Sequence, residues 1–460
     1  MTPLVPLVMF GWIPVVIYIF SRYPAQQAVV ISYVTGFMFL PQVVKYPIVQ
    51  GIPPYDKVSA TTYAVLIATL IFDSGRFSKF KLGLLDVPIL IWCFCPIMSQ
   101  FSNGLSPISP TTSQIITWGL PYYIGRIYLG DLAGMRHLAV GIFAGGLVYA
   151  PLCLLETRIA PTLHLRLYGF HARADFSQTI RYGGYRPTVF MEHGLWVGVW
   201  MMAAALLGVW LWKTKALKQF NGISMLPLVI GLIITLILVK STGAYLYFAI
   251  GLGVLLIAGW LRTSIPVIIL ILALSSYLYL GASGTLYTIP QVRAFVASAD
   301  SDDRSGSLAF RIVNEEALSE KARRQLMFGW GDSGGSRIYD EEGKDISITD
   351  SLWIIAYGLQ GAVGLISFTG SLFVPSLGFC FSSRYPPSTW ANPKVAPTAA
   401  LAVILILYML DSALNAMVCP VFLVAAGGIA GLVQKAPEAN RTTSIRPLPN
   451  KRPLAQQRSA

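Results

Sequence analysis

The sequence predicts an all-α polytopic membrane protein of about 12–13 transmembrane helices with two long outward-facing loops. Three observations lead to this fold class. Mean hydropathy is +0.61, which is too high for a soluble globular domain. Hydrophobic residues make up 55% of the 460 residues and charged residues only 12%. The apolar residues gather in long runs, and each run matches the roughly 20 residues with which a helix crosses a bilayer. Helices are expected because a spanning segment must satisfy its own backbone hydrogen bonds.

The apolar runs give the positions of the predicted spans. We expect helices at about 3–20, 27–44, 59–73, 84–100, 112–130, 137–157, 191–212, 223–240, 244–261, 264–281, 351–377, 396–412 and 415–434. The first run has no basic segment before it and no small-residue cleavage site. It is therefore expected to be a retained helix and not a removable signal.

Lysine and arginine gather in alternate short loops, which predicts that these loops are cytoplasmic. They carry Arg76, Lys79, Lys81, Arg136, Lys213, Lys215, Lys218, Arg262, Arg384 and Lys394. The intervening loops, including 101–111, 158–190 and 282–350, are expected to face outward. The net charge of +13 is explained in this way, with no nucleic acid as a partner. Membrane lipids are the expected partners of the basic residues.

This alternation divides the chain into five regions in a multi-pass protein of the cytoplasmic membrane. Residues 1–111 hold the N-terminal helices, and residues 112–281 hold the central helices with an outward loop at 158–190. Residues 282–350 form the large outward loop, and residues 351–434 hold the C-terminal helices. Residues 435–460 are predicted to be a basic, disordered cytoplasmic tail.

The outward loop 158–190 is rich in arginine and contains no lysine. Its arginines are Arg158, Arg166, Arg173, Arg181 and Arg186. A guanidinium presents a planar fork that binds phosphate or carboxylate through two hydrogen bonds. Pairing with lipid headgroups is the alternative interpretation of each of these arginines.

The large outward loop has a predicted helix at about 308–328, lying at the membrane surface. Ser305 or Ser307 is expected to cap its start, and Gly329 to stop it. Glu320 and Arg324 form a favourable pair one helical turn apart.

A glycine-rich stretch, "GWGDSGGSRIYDEEGKDISITDSLW" at 329–353, follows this helix and leads into a span. Its glycines allow the backbone to approach a ligand closely. Asp332, Arg337 and Asp350 lie within it as candidate site residues. Two interpretations of Asp350 stay open: it caps the next helix, or it acts as a general base.

Three further candidates lie at the outer ends of spans. Glu192 and His193 are suited to acid–base roles or to the membrane interface, and Lys240 could contact an anion or extend toward the interface. The four histidines and the five cysteines show no metal-ligand spacing, so no metal is expected. The cysteines are expected to be packing residues. Nucleotide-binding and Ser-His-Asp motifs are also absent from the sequence, and no cofactor is expected.

Four segments in order resemble the O-antigen ligase and polymerase family of membrane proteins. They are "RYGGYRPTVFMEHG", "KSTGAYLYFAI", "FRIVNEEALSEKARRQLMFGWGD" and "ITDSLWIIAYGLQGAVGLI". The resemblance covers roughly residues 112–412 and rests on the order and spacing of these segments. The family usually has histidine where this chain has Asp350 and asparagine where it has Ser351. Thr242 stands where the family often has an arginine.

The resemblance implies a metal-independent glycosyltransferase with a fold similar to the GT-C class. The donor would be a glycan on polyprenyl diphosphate, and the acceptor another glycan or a lipid, in O-antigen or exopolysaccharide biosynthesis. Arg186 and Arg311 match the family's motif arginines and would stabilise the departing diphosphate, with Asp350 as the base. Arg337, Asp332, Glu192, His193 and Lys240 are substrate-binding candidates. Other polysaccharide-assembly proteins are possible partners.

Two other function classes stay open at this stage. A transporter or flippase of the same lipid-linked glycan would carry ionisable groups at mid-membrane depth and broken, repeated helices. A non-catalytic assembly protein on the same scaffold would explain the absent histidine.

Overall fold

The computed structural model describes residues 1–48, 51–173, 176–181, 183–299 and 304–435. The predicted disordered tail lies outside the described residues except for Lys435. Within the described part the chain is almost entirely helical, with two short hairpins as its only paired strands.

The described residues form eighteen α-helices and four two-residue strands. The helices of the first half are α1 (Leu4–Arg22), α2 (Ala25–Phe39), α3 (Lys57–Phe72), α4 (Val87–Ser102), α5 (Ile108–Gln114), α6 (Leu120–Tyr128), α7 (Leu132–Ile159), α8 (Leu163–Tyr168) and α9 (Gly194–Lys213). Those of the second half are α10 (Met225–Leu238), α11 (Thr242–Leu261), α12 (Ile265–Ser283), α13 (Pro290–Ser298), α14 (Arg304–Arg323), α15 (Ser333–Ser336), α16 (Leu352–Cys380), α17 (Ala396–Ser412) and α18 (Pro420–Gln434). The hairpins are β1 (Ile180–Arg181) with β2 (Gly184–Tyr185), and β3 (Gln219–Phe220) with β4 (Ile223–Ser224).

The chain is an all-α polytopic membrane protein. Among the described residues, 7 helices are long and apolar enough to cross a membrane. Five shorter apolar helices, namely α2, α3, α10, α17 and α18, accompany them. A further predicted span, 112–130, is α5 and α6 joined by a π-helical turn at Ile115–Gly119. Every predicted span therefore coincides with a helix, although several are shorter than the sequence pattern indicates.

Contacts between loops divide the ends of the bundle into two faces. At the end whose loops are predicted to face outward, which we call the outward face, the Asn103 side chain donates to the carbonyl of Gly329 at 3.0 Å. At the opposite end, Arg126 pairs with Asp86 at 3.1 Å and donates to Gln434 at 3.0 Å. Loops assigned to one face thus meet one another across long stretches of sequence.

The centre of the bundle is formed by α9 and α17, which are buried along most of their length. In α9, 83% of the most apolar stretch of 18 residues is buried, and nearly every residue of α17 is buried. A helix that is apolar all round is buried in this way, because no face of it is suited to water. The outer end of α9 begins at His193, so the central helix delivers that residue to the outward face.

Helix α16 is broken inside the predicted span 351–377. Gly361 has φ 64° and ψ −159°, which interrupts the helix nine residues after its start. The segment 326–331 fills the break: the amides of Trp330 and Gly331 donate to carbonyls of α16 at 2.9 Å each. In return, the amide of Ala362 donates to the carbonyl of Leu326 at 2.7 Å and that of Val363 donates at 3.3 Å. The backbone of Gly329 approaches α16 closely, since an added Cβ would lie 2.6 Å from the main-chain nitrogens of Gln360 and Gly361.

Helix α14 differs from its prediction at both ends. It begins at Arg304, so Ser305 and Ser307 lie inside the helix and the predicted serine cap is wrong. It ends at Arg323, and a turn at 324–328 separates it from Gly329. The predicted pair of Glu320 and Arg324 is confirmed at 3.6 Å. Because both side chains are exposed, this pair contributes little to stability, about 0.3–0.5 kcal/mol.

Candidate functional site

Two predicted site residues, Arg311 of α14 and Asp350 before α16, meet at the outward face. The Nε atom of Arg311 lies 3.8 Å from Oδ2 of Asp350. The same guanidinium donates from Nη1 to the carbonyl of Leu414 at 3.0 Å. One arginine therefore joins the large outward loop, the start of α16 and the link between α17 and α18.

Asp350 does not cap α16, so that interpretation is wrong. The capping position is occupied by Ser351, whose side chain makes no cap hydrogen bond and donates instead to Glu315 at 3.2 Å. The side chain of Asp350 is 46% exposed. An acceptor hydroxyl could therefore reach it, as the role of a general base requires.

Glu315 is a site residue that the sequence interpretation missed. It follows Arg311 by one helical turn and is buried between α14, α12 and α16. Its carboxylate accepts hydrogen bonds from Tyr277 at 2.9 Å and from Ser351 and Trp353 at 3.2 Å each. Burial raises the pKa of Glu315, and these hydrogen bonds and the Arg311 charge act in the opposite direction.

A second buried carboxylate, Asp411 at the outer end of α17, was also missed. It accepts from the side chain of Asn415 at 2.7 Å and is hydrogen-bonded to Tyr247 of α11. Arg311 interacts electrostatically with both Asp411 and Glu315. Together with Asp350, three carboxylates surround this arginine, so its charge is already balanced by protein groups.

Arg186 has the opposite environment. Its side chain is buried, and Nε and Nη2 donate to the backbone carbonyl of Lys240 at 3.3 and 3.1 Å. Its stem packs on the backbone of Gly194, where an added Cβ would lie 2.3 Å from Cδ of the arginine. Burial, with a smaller effect from the charge of Arg181, lowers the pKa of Arg186 to about 10. Within the described residues, no carboxylate forms an ion pair with it.

His193 lies between the two arginine environments. Its Nδ1 accepts the amide of Leu195 at 3.0 Å and so caps α9. The proton of the neutral ring therefore lies on Nε2, which donates to Gln178 at 2.9 Å. Burial, together with the positive charges of Arg173, Arg186, Arg181 and Arg311, lowers the pKa of His193 to about 3. Both ring nitrogens are occupied, so the geometry gives His193 a positioning role and not that of a base.

A narrow cleft opens beside His193 on the outward face, with a cavity of about 20 Å³, which is room for about one water molecule. Its lining includes Arg173, Gln178, Glu192, His164 and His171. The carboxylate of Glu192 is half-buried, and nothing in the described part of the chain hydrogen-bonds to it. The cleft therefore brings Glu192 and Arg173 to the same place as His193.

Lys57 is a further cation that the sequence interpretation did not single out. It is buried at the outer end of α3, where Nζ donates to the carbonyl of Phe37 at 3.0 Å and lies 4.9 Å from that ring's centroid. It interacts electrostatically with Glu192 across the outward face. The positive potential of the outward face thus includes a residue from the N-terminal helices.

The remaining candidates divide into two groups. The side chain of Lys240 lies against Gly184 of β2, so it is brought close to Arg186. Asp332 caps the short helix α15 by accepting the amide of Gly335 at 2.6 Å. Arg337 pairs with Asp345 at 2.5 Å and donates to Thr349 at 3.3 Å. The last two are engaged within their own loop, and the structure records no contact of theirs with Arg186 or His193.

The chemistry available at this face is that of arginines and carboxylates. Among the described residues, no group of three or more His, Cys, Asp or Glu side chains could hold a metal ion. The five cysteines are all buried and free, as the expected packing role requires. The arrangement can bind an anion at Arg186 and accept a proton at Asp350.

Comparison with known proteins does not add a family to these observations. No protein-family model matches the sequence, and a search of curated proteins finds no significant match.

Proposed function

We propose that this chain is a membrane glycosyltransferase of GT-C-like architecture. It polymerises or ligates a glycan from a polyprenyl-diphosphate donor at the outer face of the cytoplasmic membrane. The observation that carries the proposal is the buried guanidinium of Arg186, which has no carboxylate partner among the described residues. An unpaired buried charge is costly, and a diphosphate would supply the missing counter-charge.

The proposed reaction is a direct displacement at the anomeric carbon. The oxygen of the acceptor hydroxyl forms a bond to that carbon while the bond from carbon to diphosphate breaks. The hydroxyl proton passes to Asp350, and the electron pair leaves with polyprenyl diphosphate. Arg186, with Arg173 and Arg181 nearby, stabilises the leaving group.

Arg311 acts as a positioning residue in this scheme. Its Nε atom lies 3.8 Å from the Asp350 carboxylate, and its hydrogen bond to the carbonyl of Leu414 fixes the guanidinium in this position. Because carboxylates already surround Arg311, the diphosphate is assigned to Arg186. The proximity of His193 to both arginines supports one shared site for anion and base.

The location of charges favours a transferase over a transporter. In the described residues, the ionisable side chains that are buried in spans lie near helix ends, as with Lys57, Glu156 and Asp411. The break in α16 is filled by the segment 326–331, so its backbone groups are not available to a transported substrate. The acceptor, a glycan or a lipid, would approach from the outward side of Asp350.

The test is incubation of purified protein with a synthetic polyprenyl-diphosphate oligosaccharide and an acceptor. We expect longer or transferred glycan together with released polyprenyl diphosphate. Asp350→Asn should lower kcat about 10²–10⁴-fold, and Arg186→Gln should lower kcat as well as weaken donor binding. Arg337→Gln is the matched control and should stay close to the parent activity, since its partners lie in its own loop.

Two outcomes would refute the proposal. Full activity of Asp350→Asn would remove the base from the scheme. Movement of the donor across vesicle membranes without any change in its glycan would identify a transporter instead.

A further inference from the structure

An amphipathic groove lies at the opposite, inward end of the bundle, between α9 and α11. Its volume is about 770 Å³, and it is open on one side. Its apolar wall is formed by Val209 and Trp212 of α9, Leu252 and Leu256 of α11, and Leu217 of the following turn. The Trp212 side chain is 43% exposed, so the groove presents an aromatic ring at the helix end.

Three lysines form the polar rim of this groove. Lys213, Lys215 and Lys218 line it, and all three are exposed. Lys215 has φ 58°, a left-handed conformation in which the chain turns directly after α9. Residues 209–224 contain no Asp or Glu, and no carboxylate pairs with these lysines in the described part of the chain.

The other basic cavity at the same end differs in this respect. Its lining includes four basic residues, Arg76, Lys81, Arg126 and Lys435, together with the carboxylate of Asp131. The two arginines are also paired with carboxylates, Asp73 at 3.0 Å and Asp86 at 3.1 Å. Carboxylates therefore offset much of the positive charge of that cavity, whereas no Asp or Glu among the described residues lines the groove between α9 and α11.

We propose that this groove binds an anionic phospholipid. Its phosphate contacts Lys213, Lys215 and Lys218, and one acyl chain lies against Leu252 and Leu256. Basic pockets between helices on the cytoplasmic side suit anionic headgroups, and an aromatic ring at the end of a span suits the membrane interface. A free phosphate would have no use for the apolar wall, and a zwitterionic lipid would bring no net charge to the lysines.

The test uses purified protein in detergent, with phosphatidylglycerol and phosphatidylethanolamine as probes and native mass spectrometry to count bound lipid. The first variant combines Lys213→Gln, Lys215→Gln and Lys218→Gln. Each lysine near an anionic surface strengthens binding roughly five-fold, so this variant should lose roughly 100-fold in affinity for phosphatidylglycerol. The matched control combines Arg384→Gln and Lys394→Gln in another inward loop and should bind as the parent does.

A second variant, Leu252→Trp, fills the groove without changing its charge and should also weaken phosphatidylglycerol binding. A competition with inorganic phosphate distinguishes a lipid from a free anion. Loss of lipid binding in both variants supports the proposal. The proposal would be overturned if phosphatidylethanolamine bound as well as phosphatidylglycerol, or if the triple lysine variant bound phosphatidylglycerol as the parent does. It would also be overturned if Leu252→Trp had no effect and phosphate displaced the lipid fully.

Discussion

Replacing Arg186 by methionine should abolish transfer without destabilising the protein. A pKa lowered from 12.5 to about 10 means that the folded state disfavours the charged guanidinium by about 3 kcal/mol. Methionine removes this penalty and keeps the stem that packs on Gly194. It also loses two hydrogen bonds to the Lys240 carbonyl, worth about 2 kcal/mol together. The free energy of unfolding is therefore expected to stay unchanged or to rise by about 1 kcal/mol.

Arg126→Met is the matched comparison, because Arg126 is also an arginine near a helix end but has a carboxylate partner. Its removal leaves Asp86 buried at 1% exposure without its cation. The carboxylate keeps hydrogen bonds from Tyr122 at 2.8 Å and from the amide of Gly83 at 2.9 Å. The free energy of unfolding should thus fall by about 3 kcal/mol, which is the lower end of the range for a broken buried ion pair.

The assay is thermal unfolding in one detergent at one heating rate, followed by tryptophan fluorescence, with glycan transfer measured in parallel. Arg186→Met should melt at or above the parent temperature, and Arg126→Met well below it. If Arg186→Met melted as low as Arg126→Met, the arginine would be a structural residue and the reasoning about an empty anion site would be refuted.

Three other predictions concern stability. Gly329→Ala should cost about 3 kcal/mol, because its Cβ would lie 2.6 Å from main-chain nitrogens of α16 and its φ is +65°. Gly343 also has a positive φ, 78°, but an added Cβ there has nothing within 4 Å, so Gly343→Ala should lower the free energy of unfolding by only about 1 kcal/mol. Equal melting temperatures of the two alanine variants would contradict the effect of the contact at Gly329. Burial raises the pKa of Glu315 above 4.5, so the unfolded chain ionises first and stability should fall as pH rises past 4.5. Glu315→Gln should remove that fall, and an unchanged pH slope would exclude Glu315 as its source. The pKa of His193 is lowered from 6.5 to about 3, so stability should fall as pH drops from 6.5 toward 3. His193→Asn, which can also cap α9, should abolish this fall in stability. Melting temperatures measured across the acidic range test this, and the same fall in the variant would exclude His193 as its source.

The spans and their alternation could be predicted from the sequence because hydropathy and charge are properties of local segments. The break in α16 could not, because it depends on main-chain pairing with residues about 30 positions earlier. Gly361 alone is compatible with a helix. Both residues have positive φ, and an added Cβ on Gly329 would lie 2.6 Å from the Gly361 nitrogen, so the close approach of the two segments requires glycine.

The candidate site was predicted in part. The family resemblance implies one site for Arg311 and Asp350, and the two side chains lie together. Glu315 was missed because it stands next to Glu316 in a charged run that is typical of a solvated face. A signal was present: Glu315 precedes the buried Leu318 by three residues, which places both on one face of α14.

The main-chain hydrogen bonds between the segment 326–331 and α16 limit how far this segment can move away from the helix. A loop attached only at its two ends can move as a lid. This segment is also hydrogen-bonded to α16 along its length. Lifting it would leave four backbone hydrogen bonds unmade, and several kcal/mol would be lost for each group facing hydrocarbon. A donor of the proposed reaction would therefore have to reach Asp350 without displacing this segment.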